Sequence, residues 1–362
     1  MTTIRTGALA TVALTASLAL TACGSDGTTS QSSSGASAAD CPAGTVKAEG
    51  SSAQKNAIES AIKGYQTACT SATINYNPSG SGAGIKNFIA GQVDFAGSDS
   101  SLKDGEATAA AATCASPAWN LPMVTGPIAI AYNVKGVDKL VLDAATATKV
   151  FSGAITTWND PAIAALNSGA SLPATPIKVF FRSDESGTTE NFTKYLKAAA
   201  GSAATIEPAK KWGGTVGEGK EKSAGVASAV KGQDGGVTYV EWSYATQNSL
   251  GIAAIDNGSG AVTLSSESVG KMVESATQKG SGNDLSLTLD YATKVPGAYP
   301  INLVTYEIVC AKYADAAKGA RVKAFLGYFA SSAVQKTLEK DGYAPLPASV
   351  ASKVQSAVKA IG

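Results

Sequence analysis

The sequence contains no histidine among its 362 residues. Without an imidazole the chain cannot form a Ser-His-Asp triad or a Cys-His pair, and it lacks the commonest ligand of catalytic metal sites. It also has no phosphate-binding loop of the form GxxxxGKS or GxxxxGKT, and none of its carboxylate pairs has a distinctive local setting. We therefore expect no enzyme, no metal site and no cofactor.

An excess of charge of either sign is missing as well. The chain has 29 Lys and Arg against 28 Asp and Glu, and loss of residues 1–22, argued below, would remove Arg5 and leave 28 against 28. A chain without a basic excess has no electrostatic footprint for nucleic acid or for an anionic membrane surface. Any anion site must therefore be local.

Residues 1–22 have the features of an export signal. Arg5 lies near the start, an apolar run covers about residues 7–20, and no acidic residue occurs. This run is too short for a comfortable membrane span. The segment LTACG at 20–24 resembles the lipobox of bacterial lipoproteins, which implies cleavage before Cys23 and lipidation of that cysteine. The alternative is a soluble secreted protein with ordinary signal cleavage.

Residues 23–42 form the next segment, and up to residue 40 they include no large apolar side chain. Such a composition cannot bury a core, so we expect a flexible tether.

Four cysteines remain once Cys23 is assigned to lipid, namely Cys41, Cys69, Cys114 and Cys310. An even number in an exported chain favours two disulfides, and the spacing matches no zinc pattern. Three pairings are possible, and the sequence alone does not decide between them. We prefer Cys41–Cys69 with Cys114–Cys310, which would fasten the tether to the first helix and an early segment to a late strand.

The remaining chain, about 320 residues, is longer than one core usually holds, so two domains are expected. Strand patterns alternate with helical patterns, which predicts an α/β architecture with largely parallel sheets and a ligand at the strands' carboxyl ends. The strand patterns are Val93–Ala96, Ile128–Tyr132, Ile177–Phe181, Val237–Glu241 and Ile301–Val309. The helical patterns are Ala144–Phe151, Thr189–Ala200, Gly225–Lys231, Ala320–Lys340 and Ser349–Ile361.

Three loops rich in Gly and Ser precede helical patterns, at residues 49–54, 77–86 and 182–189. A helix start offers unpaired N–H groups and positive partial charge, hydroxyls add donors, and Arg182 can bind an anion through two N–H groups. Three such helix starts that converge would hold a tetrahedral oxyanion such as phosphate. The alternative is ordinary short loops with capped helices.

One acid stands out, because the strand pattern in residues 93–101 ends in Gly-Ser-Asp-Ser-Ser. Asp99 would face the ligand cleft beside the hydroxyl donors, unless it only caps a turn. Phosphate at neutral pH keeps at least one proton that a carboxylate can accept, whereas sulfate has none and would be repelled. Asp99 therefore predicts selectivity for phosphate over sulfate.

In their order and spacing these motifs resemble those of the periplasmic phosphate-binding proteins of ABC-type phosphate importers. The resemblance covers nearly the whole chain after the tether, with minor matches at 157–161 and 299–301. The motifs that carry it are GSSA at 50–53, SGSGAGIK at 79–86, VDFAGSD at 93–99, RSDESGT at 182–188 and GVTYVE at 236–241.

The resemblance implies an α/β, two-lobed periplasmic-binding-protein fold of type II. Each lobe would have a mixed, mostly parallel sheet with helices on both faces, and two strands would form the hinge. Lobe I would comprise residues 43–123 and 302–362, and lobe II residues 124–301. The crossings would lie near residues 122–126 and 299–303, and ligand binding would close the hinge.

The resemblance also implies nine ligand positions. Lobe I would supply hydroxyls, a backbone N–H and the acceptor of the phosphate proton, from Ser52, Ala53, Ser81 and Asp99. Lobe II would supply the cation, the acid that orients it and the donors of a helix start, from Arg182, Asp184, Ser186, Gly187 and Thr188. Glu49 and Glu185 would add negative charge near the mouth, with an effect that the sequence does not decide.

The function implied is capture of inorganic phosphate outside the cytoplasm and its delivery to the permease subunits of an ABC importer. The protein would be a monomer, lipid-anchored through Cys23 to the outer face of the cell membrane. Two alternatives remain: a surface lipoprotein that binds another oxyanion or acts as a sensor or adhesin, and a phosphatase that uses the same cradle.

Overall fold

The structure, a computed structural model, describes residues 41–362. The predictions on the export signal, on lipidation at Cys23 and on the tether up to residue 40 lie outside the described residues.

Strands and helices alternate along the described chain. The strands are β1 Gly44–Gly50, β2 Ala72–Asn77, β3 Phe95–Ser98, β4 Ala118–Asn133, β5 Val141–Asp143, β6 Lys178–Arg182, β7 Glu218–Lys220, β8 Gly236–Glu241, β9 Gly251–Ile252, β10 Ala254–Asp256, β11 Ala261–Val262, β12 Thr277–Gln278, β13 Leu287–Thr288 and β14 Asn302–Cys310. The helices are α1 Lys55–Ala68, α2 Ser81–Ile89, α3 Asp104–Cys114, α4 Ala144–Ser152, α5 Pro161–Leu166, α6 Gly187–Ala200, α7 Lys222–Lys231, α8 Trp242–Gln247, α9 Ser266–Glu274, α10 Ala316–Phe329, α11 Ser332–Thr337 and α12 Ala348–Lys359.

The main sheet has nine strands in the order β2-β1-β3-β14-β4-β8-β6-β7, with β9 also paired to β4. Its outer strands pair in parallel, β1 with β2 and β3, and β6 with β7 and β8. The long strands β4 and β14 run antiparallel to each other and to their other partners. The fold is therefore a mixed α/β fold of the periplasmic-binding-protein type, in which β4 and β14 join the two parallel groups.

Two hydrophobic cores lie along this sheet. The first core is built mainly from residues 46–124 and 308–361, and the second core mainly from residues 128–301. Strand β4 leaves the first core at Val124 and enters the second at Ile128, and β14 returns between Leu303 and Ile308. The pairing of β4 with β14 shifts register between Thr305 and Tyr306, within this passage.

The helical pattern at 320–340 predicts one helix, and this prediction is wrong. Helix α10 ends at Phe329, and the Ser331 side chain then accepts a hydrogen bond from the backbone N–H of Val334 and starts α11. A 3₁₀ turn, Leu338–Asp341, follows and ends at Gly342 with a φ of 78°. A serine hydroxyl that caps a new helix start competes with continuation of the preceding helix, and the apolar spacing does not reveal this.

No helix within residues 41–362 is long and apolar enough to cross a membrane. Within the same range, no group of three His, Cys, Asp or Glu side chains is placed to hold a metal ion.

The disulfides are Cys41–Cys69 and Cys114–Cys310, with Cα atoms 5.2 and 5.4 Å apart, which confirms the preferred pairing. The first joins the start of the described chain to the end of α1, and the second joins the end of α3 to the end of β14.

Removal of the Cys114–Cys310 disulfide is expected to destabilise the protein more than removal of the Cys41–Cys69 disulfide. The Cys114–Cys310 disulfide closes a loop of 196 residues, whereas the Cys41–Cys69 disulfide closes a loop of 28. Chain entropy in the unfolded state then makes the longer link worth about 1.7 kcal/mol more. Thermal and denaturant unfolding of the two double Cys→Ala variants measures this difference, and each variant is the matched control for the other. An equal loss of stability would contradict the loop-entropy argument.

Candidate functional site

Loops from the two cores meet beyond the carboxyl ends of β1, β3 and β6. Gly82, in the first turn of α2, donates its backbone N–H to the carbonyl of Glu185 at 3.1 Å. A Cβ atom on Gly187, the first residue of α6, would lie 2.5 Å from Cβ of Asp99 and 2.7 Å from Oγ of Ser81. Only glycine therefore lets the start of α6 approach this closely to Asp99 and Ser81.

Asp99 follows β3 and is buried, with 3% of its surface exposed. Its Oδ1 accepts hydrogen bonds from Oγ of Ser51 at 2.5 Å and Oγ1 of Thr305 at 2.7 Å, and its Oδ2 accepts one from Oγ of Ser81 at 3.0 Å. Burial raises the pKa of Asp99 to about 6, although the hydrogen bonds from Ser51, Thr305 and Ser81 oppose the rise. The carboxylate is thus fixed by hydroxyls and ionised at neutral pH.

Arg182 ends β6 and is also buried, with 2% exposed. Its Nε and Nη2 donate to the two carboxylate oxygens of Asp184 at 2.7 and 2.5 Å, while Nη1 donates to Oγ1 of Thr188 at 3.3 Å and Oγ of Ser223 at 3.1 Å. Burial alone would lower the pKa of Arg182, but Asp184 raises it above its ordinary value. The guanidinium is therefore a fixed cation with one edge turned toward hydroxyl groups.

Ser223, in the first turn of α7, connects the two cores. Its Oγ lies 3.1 Å from Oγ of Ser52, and its backbone N–H donates to the same Ser52 oxygen at 3.4 Å. The other hydroxyl on Nη1 of Arg182, Oγ1 of Thr188, donates to Oε1 of the buried Glu241 at 2.5 Å. A continuous set of hydroxyls and acids thus surrounds the guanidinium.

The structure brings most of the nine predicted positions together. Ser81, Asp99 and Gly187 are in contact, and Arg182 holds Asp184 and Thr188. Gly187 and Thr188 begin α6, so their backbone N–H groups have no acceptor within the helix.

Several predicted donors are already occupied within the protein, among them the hydroxyls of Ser81 and Thr188 described above and groups of Ala53 and Ser186. The N–H of Ala53 donates to Oγ of Ser51 at 3.0 Å. Oγ of Ser186 caps α6 by accepting from the N–H of Thr189, and the Ser186 N–H donates to the carbonyl of Lys210.

Sequence reasoning missed four polar residues of the site, namely Ser51, Ser223, Glu241 and Thr305. Ser51 and Glu241 lie inside motifs that were identified, but no pattern distinguishes the hydroxyl of Ser51 from that of Ser52. Ser223 and Thr305 lie outside those motifs and reach the site through the tertiary structure.

The two acids expected near the mouth have different surroundings. Glu185 pairs with Lys86 at 2.6 Å and Lys211 at 3.5 Å, and the Lys86 ammonium keeps the pKa of this carboxyl below its ordinary value. Glu49 is half-buried in β1. The negative charge of Glu185 is therefore offset, and its pair with Lys86 joins loops of the two cores across the mouth.

The two cores also touch deeper along the cleft. Oγ of Ser100 donates to Oε2 of Glu190 at 2.8 Å, and Nδ2 of Asn191 donates to the backbone carbonyl of Asp99 at 2.7 Å. The two cores are thus in direct contact beside Asp99.

The chain is similar to known proteins over nearly its full length. A family model described as a PBP superfamily domain matches residues 35–333. Phosphate-binding protein PstS 2 of Mycobacterium tuberculosis is 44% identical, and PstS3 of Mycobacterium bovis is 46% identical, each over 99% of both chains. Phosphate-binding protein PstS of Xylella fastidiosa is 33% identical over 80% of this chain and 78% of its own.

Solved structures show the same fold. The high-affinity periplasmic phosphate-binding protein PfluDING, with phosphate bound, aligns with a TM-score of 0.69 at 21% identity, over 86% of this chain and 93% of that chain. Phosphate binding protein from Stenotrophomonas maltophilia aligns with a TM-score of 0.67 at 20% identity, over 87% and 94%. By its family model, its sequence relatives and its fold, the chain belongs to the PstS phosphate-binding proteins of the PBP superfamily.

Proposed function

We propose that this protein binds inorganic phosphate between two lobes outside the cytoplasm and delivers it to the permease of an ABC importer. The observation that carries the proposal is the juxtaposition of a buried carboxylate and a buried guanidinium around one helix start. Asp99 lies against Gly187, while Arg182 bonds to Thr188, the next residue of α6. The names of the sequence relatives support phosphate as the anion.

This combination fits a protonated tetrahedral anion. The N–H groups of Gly187 and Thr188 and the Nη1 edge of Arg182 would donate to phosphate oxygens. Asp99, ionised at neutral pH, would accept the remaining phosphate proton. Sulfate offers no proton, so its approach to Asp99 would place two negative charges in contact within a buried site.

The nine predicted positions are the ligand set that we propose, together with Ser223 as a tenth. Ser52 and Ser81 would turn their hydroxyls toward phosphate when it is bound, and Asp184 would act through Arg182. The N–H of Ala53 and the groups of Ser186 would have to exchange their present partners to reach the anion.

The lobes would be residues 43–123 with 302–362, and residues 124–301, hinged where β4 and β14 pass from one core to the other. Lipid attached to Cys23 would hold a monomer at the outer face of the membrane. The protein would bind without catalysis, as the names of its sequence relatives, phosphate-binding proteins, support.

The proposal is tested by titrating the ligand-stripped chain, without residues 1–22, with phosphate and then sulfate by calorimetry between pH 5 and 9. At pH 7 and above we expect tight one-to-one phosphate binding and no heat from sulfate. Equal binding of both anions would support an anion-binding site but refute the role of Asp99 in selectivity. Binding of neither anion would refute the proposed function. A chromogenic phosphate-ester assay separates this function from a phosphatase.

Replacement of Ser223 with alanine is expected to weaken phosphate binding about tenfold, since a hydrogen bond to a charged group is typically worth about 1.5–3 kcal/mol and part of it is recovered by neighbouring groups. Ser223 is fully buried and holds Nη1 of Arg182. Ser228→Ala, at an exposed position of the same helix, is the matched control. Equal affinities of the two variants in calorimetry would exclude Ser223 from the site.

A further inference from the structure

Glu307 is a fully buried carboxyl on β14 that the ligand set does not use. Thr305, two residues earlier on the same strand, donates its hydroxyl to Asp99. In the sheet Glu307 stands opposite Gly97 of β3 and Leu121 of β4. A second acid is therefore buried next to the proton-accepting carboxylate of the anion site.

Neither carboxylate oxygen of Glu307 has a hydrogen-bond partner among residues 41–362, and the same is true of Oε1 of the fully buried Gln54. The two side chains are neighbours. A Cβ atom on Gly97, the cross-strand partner of Glu307, would lie 2.2 Å from Nε2 of Gln54. Cross-strand Cβ positions are typically about 5 Å apart, so the Gln54 amide lies within reach of the Glu307 carboxyl.

An ionised glutamate would only accept hydrogen bonds and could not satisfy an amide oxygen, whereas a protonated one has an O–H to donate. Nε2 of Gln54 donates one of its two N–H groups to Oη of Tyr76 at 3.0 Å. Oε1 of Gln54 has no donor among residues 41–362, so this oxygen is the group that a protonated Glu307 would serve. A buried charge without a partner is also far more costly than a buried neutral acid.

We infer that Glu307 is a positioning residue of the anion site, which stays protonated at neutral pH and donates its O–H to Oε1 of Gln54. The inference rests on the proposed function. Gln54 in turn donates to Tyr76, and Oη of Tyr76 donates to the carbonyl of Ser51 at 2.7 Å. The Ser51 hydroxyl in turn donates to Asp99. Protonated Glu307 would thus fix one end of a hydrogen-bond chain whose other end is Asp99.

The titratable groups around Glu307 agree with this assignment. Burial raises the pKa of Glu307 to about 8 and the charge of Asp99 adds to the rise, while Gln54 opposes it. Burial raises the pKa of Tyr76 well above its ordinary value, with a further contribution from Glu307. Tyr76 therefore stays neutral, and Asp99 and Glu307 are the groups here whose charge changes between pH 5 and 9.

Two pH effects follow. A carboxyl with a raised pKa favours the folded state below its unfolded pKa, and this contribution is lost as the pH rises toward the folded pKa. The thermal midpoint of the ligand-free protein should therefore fall between pH 7 and 8, where Asp99, with a pKa of about 6, is already mostly ionised. Above pH 8 an ionised Glu307 would repel the bound anion and weaken phosphate binding by about tenfold at pH 9.5.

The test compares the wild type with Glu307→Gln, which is neutral at every pH and keeps a donor for Gln54. Glu267→Gln, at an exposed helix position, is the matched control. Ligand-free thermal midpoints are measured from pH 7 to 8, and phosphate dissociation constants from pH 7 to 9.5. We expect the wild type and Glu267→Gln to show both declines, and Glu307→Gln to show neither.

Infrared spectra of the wild type with carbon-13-labelled glutamate carboxyls give a measurement that needs no variant. We expect one protonated glutamate band at pH 7 that disappears by pH 9.5. Its absence at pH 7, or parallel thermal curves for the wild type and Glu307→Gln, would overturn the inference alone. Failure of the wild type to bind phosphate would overturn the positioning role together with the proposed function.

Discussion

Replacement of Asp99 with asparagine should reduce the preference for phosphate over sulfate by about 100-fold, corresponding to about 2.7 kcal/mol. In the proposed site the buried carboxylate would accept a phosphate proton and would repel an anion that has none. Asparagine keeps the shape but removes the charge, and its amide can donate to sulfate. Phosphate affinity should fall and sulfate affinity should rise, as competition calorimetry at pH 7 would measure.

The exposed Asp104 at the start of α3 offers a matched control, since Asp104→Asn makes the same change of charge away from the cleft. The wild type supplies a second check. Because burial raises the pKa of Asp99 to about 6, its protonation below that pH should admit sulfate to the wild-type site, while Asp99→Asn should show no such change. An unchanged anion ratio in Asp99→Asn would remove Asp99 from the selectivity mechanism.

Replacement of Arg182 with glutamine should weaken phosphate binding by at least 100-fold. Loss of one partner of a buried, hydrogen-bonded charge pair typically costs about 2–5 kcal/mol, and here phosphate and Asp184 would both lose the cation. Affinity is measured by calorimetry and stability by thermal unfolding, because the half-buried Asp184 would lose Arg182 and keep only Lys222 as a partner.

Two variants separate the effects on binding and folding. The double change Arg182→Gln with Asp184→Asn removes the stranded acid, so it should recover stability but not affinity. Arg321→Gln, at the other arginine among residues 41–362, is expected to bind phosphate like the wild type. Recovery of affinity in the double variant would show that Arg182 acts on folding and not on the anion.

The sequence predicts those parts of the site in which the polar residues lie in the same short segment as the turn or helix start that positions them. The loop at 182–189 reads as a strand end, a glycine turn and a helix start, and the structure has β6 and α6 there, with Ser186 as the cap. Strand and helix periodicity likewise locates β8, α4, α12 and the second part of β4, because each is set by burial of one face or both. The first ten residues of β4 were not predicted.

Other features depend on contacts that no short window contains. The helical pattern at 320–340 is interrupted by a serine that caps a new helix. The adjacent serines at 51 and 52 bind partners in different parts of the protein. Ser51 holds Asp99, while Ser52 meets Ser223 in the other core. A turn places successive hydroxyls in different directions, and only the packing around it decides which partner each one reaches.

The sequence by itself predicts the α/β alternation, the loops at 49–54, 77–86 and 182–189 and the acid at position 99, because each depends on residue type and local spacing. The export signal and the tether stay predictions. Only the tertiary structure decided which cysteines pair, that β4 and β14 run antiparallel through both cores, and that Thr305 holds Asp99 across 206 residues. The tertiary structure also buries Glu307 beside Gln54. Distant contacts of this kind are selected by the total free energy of packing, to which every residue around them contributes, and not by the chain on either side of each residue.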